Sequence, residues 1–174
     1  ELPFLPFDGK TIVSSEEALS FDEVPEKMIV VGAGAIGLEM GSIWARLGSK
    51  VTIIEIMDSA LPGWDVQLSR TLKRYLKEIG IDLRVSTRVT GSTSQKKGVE
   101  LTAENKKGDE EKFDGNVVLV AVGRKPYLAQ DMSEVGVELD GESVKVNEKF
   151  ETTVSGTYAI GDIIHGPMLA HKAE

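Results

Sequence analysis

A chain of 174 residues, 41% apolar and 28% charged, has an ordinary globular composition and the length to bury one core and part of a second. A formal charge of −8, with Lys96-Lys97 and Lys106-Lys107 set among acids, argues against nucleic acid or an acidic membrane as partner. With no cysteine there is no disulfide, thiolate metal site or thiol nucleophile, and no run approaches the ~18 apolar residues of a membrane span.

Residues 1–24 read as a lead-in. In SSEEALSF, Ser14 and Glu17 three places on form a capping box for one or two turns of helix. Pro25 precedes MIVVG, a β-branched run suited to a buried parallel strand. From Ala35 to Leu47 the side chains of Ile36, Met40, Ile43, Trp44 and Leu47 share a helical stripe, which Gly48 ends. VTIIE, from Val51 to Glu55, is a second buried strand. Asp65 caps a helix that turns Leu68, Leu72, Tyr75, Leu76 and Ile79 inward and stops at Gly80. IDLRVS is a third strand, so the alternation predicts right-handed crossovers and a parallel sheet with helices on its faces.

The pattern then changes. GVELTAEN and EEKFDG flank a Lys-Lys-Gly-Asp turn and read as antiparallel strands. NVVLVAV, Asn116 to Val122, is apolar enough to return to the sheet interior, and GRKP follows as a loop. Beyond Tyr127 come a weak helix near Met132 to Val135, short strands around Val137 to Leu139 and Val144 to Val146, and TYAIGDI. The expected architecture is a Rossmann-like three-layer α/β domain over residues 25–148, with an antiparallel β excursion near 96–114. A partial segment of another domain follows at 149–174.

Gly32-Ala33-Gly34-Ala35-Ile36-Gly37 is a G-x-G-x-x-G run. The pattern recurs by chance, but here it follows a predicted strand and opens a predicted helix. Gly32 permits the tight turn, Gly34 lets a diphosphate reach bare backbone, and Gly37 lets helix and strand pack closely. The unpaired N–H groups of the first helical turn would face the phosphates, adding a dipole contribution of roughly 0.3–1 kcal/mol. Glu55 ends the second strand 23 positions after Gly32, where an acid accepts hydrogen bonds from the adenosine ribose. A 2′-phosphate beside it would meet repulsion of about 4 kcal/mol at ~4 Å and an effective dielectric near 20. Ile56 and Met57, the next residues, supply no Arg to reverse this, so the reading is NAD(H) and not NADP(H).

GAGAIGLE running into Glu39, LVAVGRKP, and the closing TYAIGDIIHGPMLAHKAE together resemble the flavin-dependent pyridine nucleotide–disulfide oxidoreductases. Within them GPMLAHKAE is most similar to the dihydrolipoamide-oxidising branch that serves 2-oxo acid dehydrogenase complexes. The resemblance covers Phe7 to Glu174, and it implies roles residue by residue. Gly32, Ala33, Gly34, Ala35, Ile36, Gly37, Leu38 and Glu39 would line the diphosphate and nicotinamide side of NAD. Glu55 would take the ribose, the backbone of Val89 the adenine, and Gly123 would lie beside the nucleotide. Asp162 would bind the ribityl chain of FAD, with Met168, Leu169, Ala170 and His171 along its ring system. His165 has no assigned role, and two histidines without further ligands make a weak metal site.

The same resemblance implies a redox cysteine pair, a first FAD segment and a C-terminal base, none of which this sequence contains. The expectation is therefore a central piece of a longer enzyme: the NAD domain, with residues 1–24 leaving a first FAD segment and 149–174 re-entering it. Such a piece binds NADH and turns over nothing alone. Its parent would use NAD and FAD, work as a homodimer, and reside in a bacterial cytoplasm or a mitochondrial matrix. The competing readings are another flavin disulfide reductase, an NADH oxidase, or an autonomous NAD-sensing module. A hydroxy-acid or sugar-nucleotide dehydrogenase would need a catalytic Lys, His or Tyr that has no candidate here.

Overall fold

The computed structural model describes residues 2–129, 132, 134–169 and 173. They form two compact units, Glu1–Gly123 and Arg124–Glu174. Among the described residues of the first unit, the order is β1 (Ile12–Val13), α1 (Ser15–Ala18), β2 (Lys27–Val31), α2 (Ala35–Arg46), β3 (Lys50–Ile54), α3 (Val66–Glu78), β4 (Asp82–Arg84), β5 (Thr87–Gln95), β6 (Gly98–Asn105), β7 (Glu110–Gly115) and β8 (Val117–Val120).

Strands β1, β8, β2, β3 and β4 lie in that order in one sheet, all neighbours parallel. The short β-branched runs suit it, because a strand buried on both faces has no polar side to show. In β2 the side chains alternate, as strand geometry requires. Met28 and Val30 face the helices, packing with Leu38, Met40, Trp44 and Leu76. Ile29 and Val31 face the opposite way, packing with Val89, Val99, Leu101 and Ala103. The second set comes from the antiparallel sheet β5-β6-β7. The three layers are thus helices, parallel sheet and antiparallel sheet. The expectation of helices on both faces is corrected: the inward alternation of Val99, Leu101 and Ala103 supplies the second cover instead of a helix.

The sequence pattern predicts no strand over Thr87–Gln95, where the structure places β5. Its residues are polar, and a register shift between Val89 and Gly91 breaks the alternation that marks a strand. The lead-in is part of this unit. Ser14 Oγ accepts the Glu16 amide while Glu17 takes the Ser14 amide, the capping box expected there. Trp44 of α2 then donates its indole N–H to the Ala18 carbonyl at 3.0 Å, and its ring meets Phe21 at 5.1 Å between centroids. Asp65 caps α3 by accepting from the Gln67 and Leu68 amides.

The second unit holds an antiparallel hairpin, β9 (Leu139–Asp140) and β10 (Ser143–Val144), and a 3-10 turn at Gly161–Ile163. Val137, Val144 and Ala159 are its buried apolar side chains among the described residues. The weak helix expected near Met132 to Val135 is replaced by turns at Met132, Glu134 and Val135, position 133 lying outside the described residues. So short a stretch gains too few helical hydrogen bonds to offset nucleation. The two expected strands are present but shifted, to 139–140 and 143–144.

Candidate functional site

A cavity of about 700 Å³ opens at the carboxyl ends of β2, β3 and β8. Its wall includes Val31 and Gly32 after β2, Ile54 and Glu55 after β3, and Ala121, Val122 and Gly123 after β8. The chain passes from β2 to β3 on one side and reaches β8 on the other, so the crevice sits where the strand order reverses. Leu2, Phe4, Met57, Pro62 and Val89 give the rest of it an apolar character.

The glycine corner has the geometry such a site needs. Gly32 has φ +107°, and a Cβ there would stand 2.4 Å from the Ala121 carbonyl oxygen. A Cβ on Gly37 would stand 2.1 Å from the Gly32 carbonyl oxygen, so helix and strand approach as closely as backbone permits. Gly34 is different: nothing lies within 4 Å of its Cβ position, and the residue lines the cavity. Of the three motif glycines, Gly34 is therefore the one whose bare backbone faces open space in the cavity. Gly34 precedes α2 without a side-chain cap, and the Ala35, Ile36 and Gly37 amides have no partner among the described residues. Those donors, the open face of Gly34 and a carboxylate in the same wall fit a dinucleotide. Gly41, which the motif does not include, also serves packing, its Cβ position 3.0 Å from Ile53 Cδ1.

Glu55 is 6% exposed. Its Oε2 accepts the Ala33 amide at 2.7 Å and its Oε1 accepts the Met57 amide at 2.8 Å. No cation pairs with it among the described residues. Of the other residues singled out in sequence, Gly32, Gly34, Val89 and Gly123 line the cavity beside it. Ala33 and Leu38 bury their side chains in the helix-side core, and the Leu38 amide bonds the Gly34 carbonyl. Ile36 packs against that core from its edge. Ala35 is half-buried and Glu39 exposed on α2.

The cavity also contains a residue that sequence order hides. Arg88, one position before Val89, is exposed and lines the same wall as Glu55. It is remote in sequence from Glu55, so a search for a cation directly after the acid misses it; only the pairing of β3 with β4 and the turn into β5 bring the two together.

In the second unit the guanidinium of Arg124 donates to Asp162 Oδ2 at 2.5 Å and to the Met168 carbonyl at 2.9 Å. Asp162, Met168 and Arg124 are thus one cluster, and Leu169 is half-buried beside it in sequence. Ala170 and His171 lie outside the described residues. Among the described residues no group of acids and histidines is arranged to hold a metal, and no helix is long and apolar enough to cross a membrane.

Strand order, switch-point crevice and glycine corner define a Rossmann-type α/β domain. The pattern of the pyridine nucleotide-disulphide oxidoreductases matches residues 4–174, and the chain belongs to that family. Over 99% of its length it is 48% identical to dihydrolipoyl dehydrogenase 2, mitochondrial, of Arabidopsis thaliana, and it covers 35% of that protein. Dihydrolipoyl dehydrogenase 3 of Pseudomonas putida is 42% identical over 99% of this chain, which covers 38% of it. The crystal structure of LpdA from Mycobacterium tuberculosis superposes with a TM-score of 0.84 at 28% identity, over 99% of this chain and 37% of that one. The chain therefore spans little more than a third of the length of these relatives.

Proposed function

We propose that the chain is the NAD(H)-binding part of a flavin-dependent dihydrolipoyl dehydrogenase, with the beginning of its returning FAD segment. The observation that carries this reading is the conjunction, in one cavity, of Gly34's open backbone and the Glu55 carboxylate. Its support from relatives is the identity of 48% and 42% to two dihydrolipoyl dehydrogenases, one named mitochondrial and one from a bacterium.

In this reading the Ala35, Ile36 and Gly37 amides receive the diphosphate, and Glu55 and Val89 bound the adenosine end. Glu39 would stand toward the nicotinamide end, and Gly123 would lie beside the nucleotide. Bound NAD+ supplies the hydride acceptor, and what this chain contributes is orientation and exclusion of water. Asp162 would hold the FAD ribityl chain through the oxygen that Arg124 leaves free, with Met168, Leu169, Ala170 and His171 continuing the flavin contact. The chain has no cysteine, so the disulfide step belongs to sequence outside these 174 residues. The parent is a homodimer serving 2-oxo acid dehydrogenase complexes, in a bacterial cytoplasm or a mitochondrial matrix.

Calorimetric titration of the chain with NADH and NADPH tests the nucleotide assignment. NADH should bind more tightly, and Glu55→Ala should weaken NADH while narrowing its advantage over NADPH. A charge-assisted bond is worth about 1.5–3 kcal/mol, so the loss is roughly tenfold or more. Arg88→Ala is the second arm, because a cation in the same wall would favour a 2′-phosphate and its removal should sharpen the NADH preference. Equal NADH affinity in wild type and Glu55→Ala refutes the ribose assignment. Appreciable NADH oxidation by the chain with added FAD in a diaphorase assay refutes its reading as a binding piece inactive alone.

A further inference from the structure

The carboxylate of Glu55 does more than wall the cavity. Both of its oxygens already accept backbone N–H groups, and the two donors come from different segments: Ala33 inside the glycine corner, Met57 beyond the end of β3. Ala33 is held from a second side, because its carbonyl accepts the Leu61 amide at 2.9 Å. Both polar groups of that residue are thus engaged by the 55–61 segment, and its side chain is fully buried. The same segment is anchored in turn: the Glu55 amide bonds the Arg84 carbonyl, the Thr87 amide bonds the Glu55 carbonyl, and the Ser86 amide bonds the Met57 carbonyl.

We infer that Glu55 is a positioning residue for the phosphate corner, clamping the Ala33 peptide so that the Gly34 backbone and the free amides at the start of α2 are held ready before any ligand arrives. A buried carboxylate with no ion-pair partner among the described residues needs fixed donors, and the corner supplies one while the acid fixes the corner in return. The Ala33 amide, pointing at Glu55, is then not a phosphate donor; the Ala35, Ile36 and Gly37 amides are. Nucleotide choice and corner geometry depend on one side chain. Removing the negative charge at position 55 loosens the corner for every dinucleotide instead of merely admitting a 2′-phosphate. Glutamine cannot substitute: one end of its amide is itself a donor and meets an N–H head-on.

The inference rests on the dinucleotide reading only for its binding arm, and the ligand-free arms stand without it. In the ligand-free wild-type chain, NMR should show a scalar coupling across the hydrogen bond between the Ala33 amide nitrogen and the Glu55 carboxyl carbon. Its absence overturns the proposal, whether or not any variant folds. In Glu55→Gln, amide exchange at Ala33 and Met57 should quicken about tenfold or more without ligand, while exchange in β6 is unchanged. Unaltered exchange at both amides overturns the clamp. In the binding arm, Glu55→Gln should bind NADPH no more tightly than wild type does. A tighter NADPH complex with unaltered ligand-free exchange would mean that Glu55 acts on the ligand alone. A wild-type chain that shows the coupling but binds neither nucleotide keeps the clamp and refutes the dinucleotide reading.

Discussion

The two units of the chain differ in how large an apolar core each one closes. In the first, both faces of the parallel sheet are closed, by helices on one side and by β5-β6-β7 on the other, and Val30, Ile53, Leu101, Val118 and Leu119 are wholly buried. In the second, the buried apolar core among the described residues is three side chains, Val137, Val144 and Ala159. The contrast is one of core size: the first unit closes an apolar core on each face of its sheet, and the second closes a small one.

The largest expected effect tests that contrast with one substitution in each unit. Gly37→Ala puts a methyl group 2.1 Å from the Gly32 carbonyl oxygen, backbone against backbone with nothing flexible to yield. A loss of about 4 kcal/mol or more is expected, seen as a collapse of the main urea transition. Gly156→Ala has φ +77° but open space around the new Cβ. It should cost only the left-handed backbone penalty of about 1–2 kcal/mol, and only in signals from the second unit. Core truncation ranks next. Leu119→Ala, in a fully buried strand, should lower stability by about 2–5 kcal/mol. Val144→Ala, in the small cluster of the second unit, should lose about 1.5 kcal/mol, at roughly 0.8 per methylene. Equal losses for the two would erase the distinction between the units.

A smaller effect is expected at Arg124, whose guanidinium joins Asp162 to the Met168 carbonyl. The pair is about half exposed on the arginine side, so Arg124→Met should change global stability by less than about 1 kcal/mol. Amide exchange across Gly161–Ile163 should nonetheless rise, since the turn loses a side-chain tether. Unchanged exchange there would mean that the turn is fixed by its backbone alone.

The same contrast governs what the sequence revealed. Where one segment decides the outcome, it was legible: the Ser14–Glu17 capping box, the Asp65 cap, the turn at Gly32 and the close packing at Gly37 all read correctly from local residues. What escaped depends on pairing between distant segments. Polar β5 becomes a strand because β6 offers it a partner. Ile12–Val13 becomes the edge strand because β8 lies beside it, and Arg88 enters the cavity wall through the turn into β5. Glu55 could be placed at a strand end from the sequence, but its hold on Ala33 requires knowing that the two backbones meet. In the second unit the strand positions slipped because few buried side chains fix the register there.

The smallest prediction concerns Asp8, at the near end of the first unit. Burial pushes its carboxyl upward, but the amides of Lys10, Thr11 and Ile12 outweigh that and hold it below its ordinary 3.8. All three bond Asp8 Oδ1, at 2.8, 2.7 and 2.9 Å, and so shape the turn that delivers the chain into β1. A carboxyl depressed in the folded state binds protons more readily when unfolded. Its contribution is therefore complete above the unfolded value near 3.8 and disappears as the pH falls through the lower folded value. The side chain is exposed, so solvent keeps the effect to a few tenths of a kcal/mol. Asp8→Asn should accordingly shift the urea midpoint slightly downward at about pH 7, with the gap from wild type closing toward about pH 2. A gap that stays constant across that range would show that the turn depends on the shape of the side chain and not on its charge.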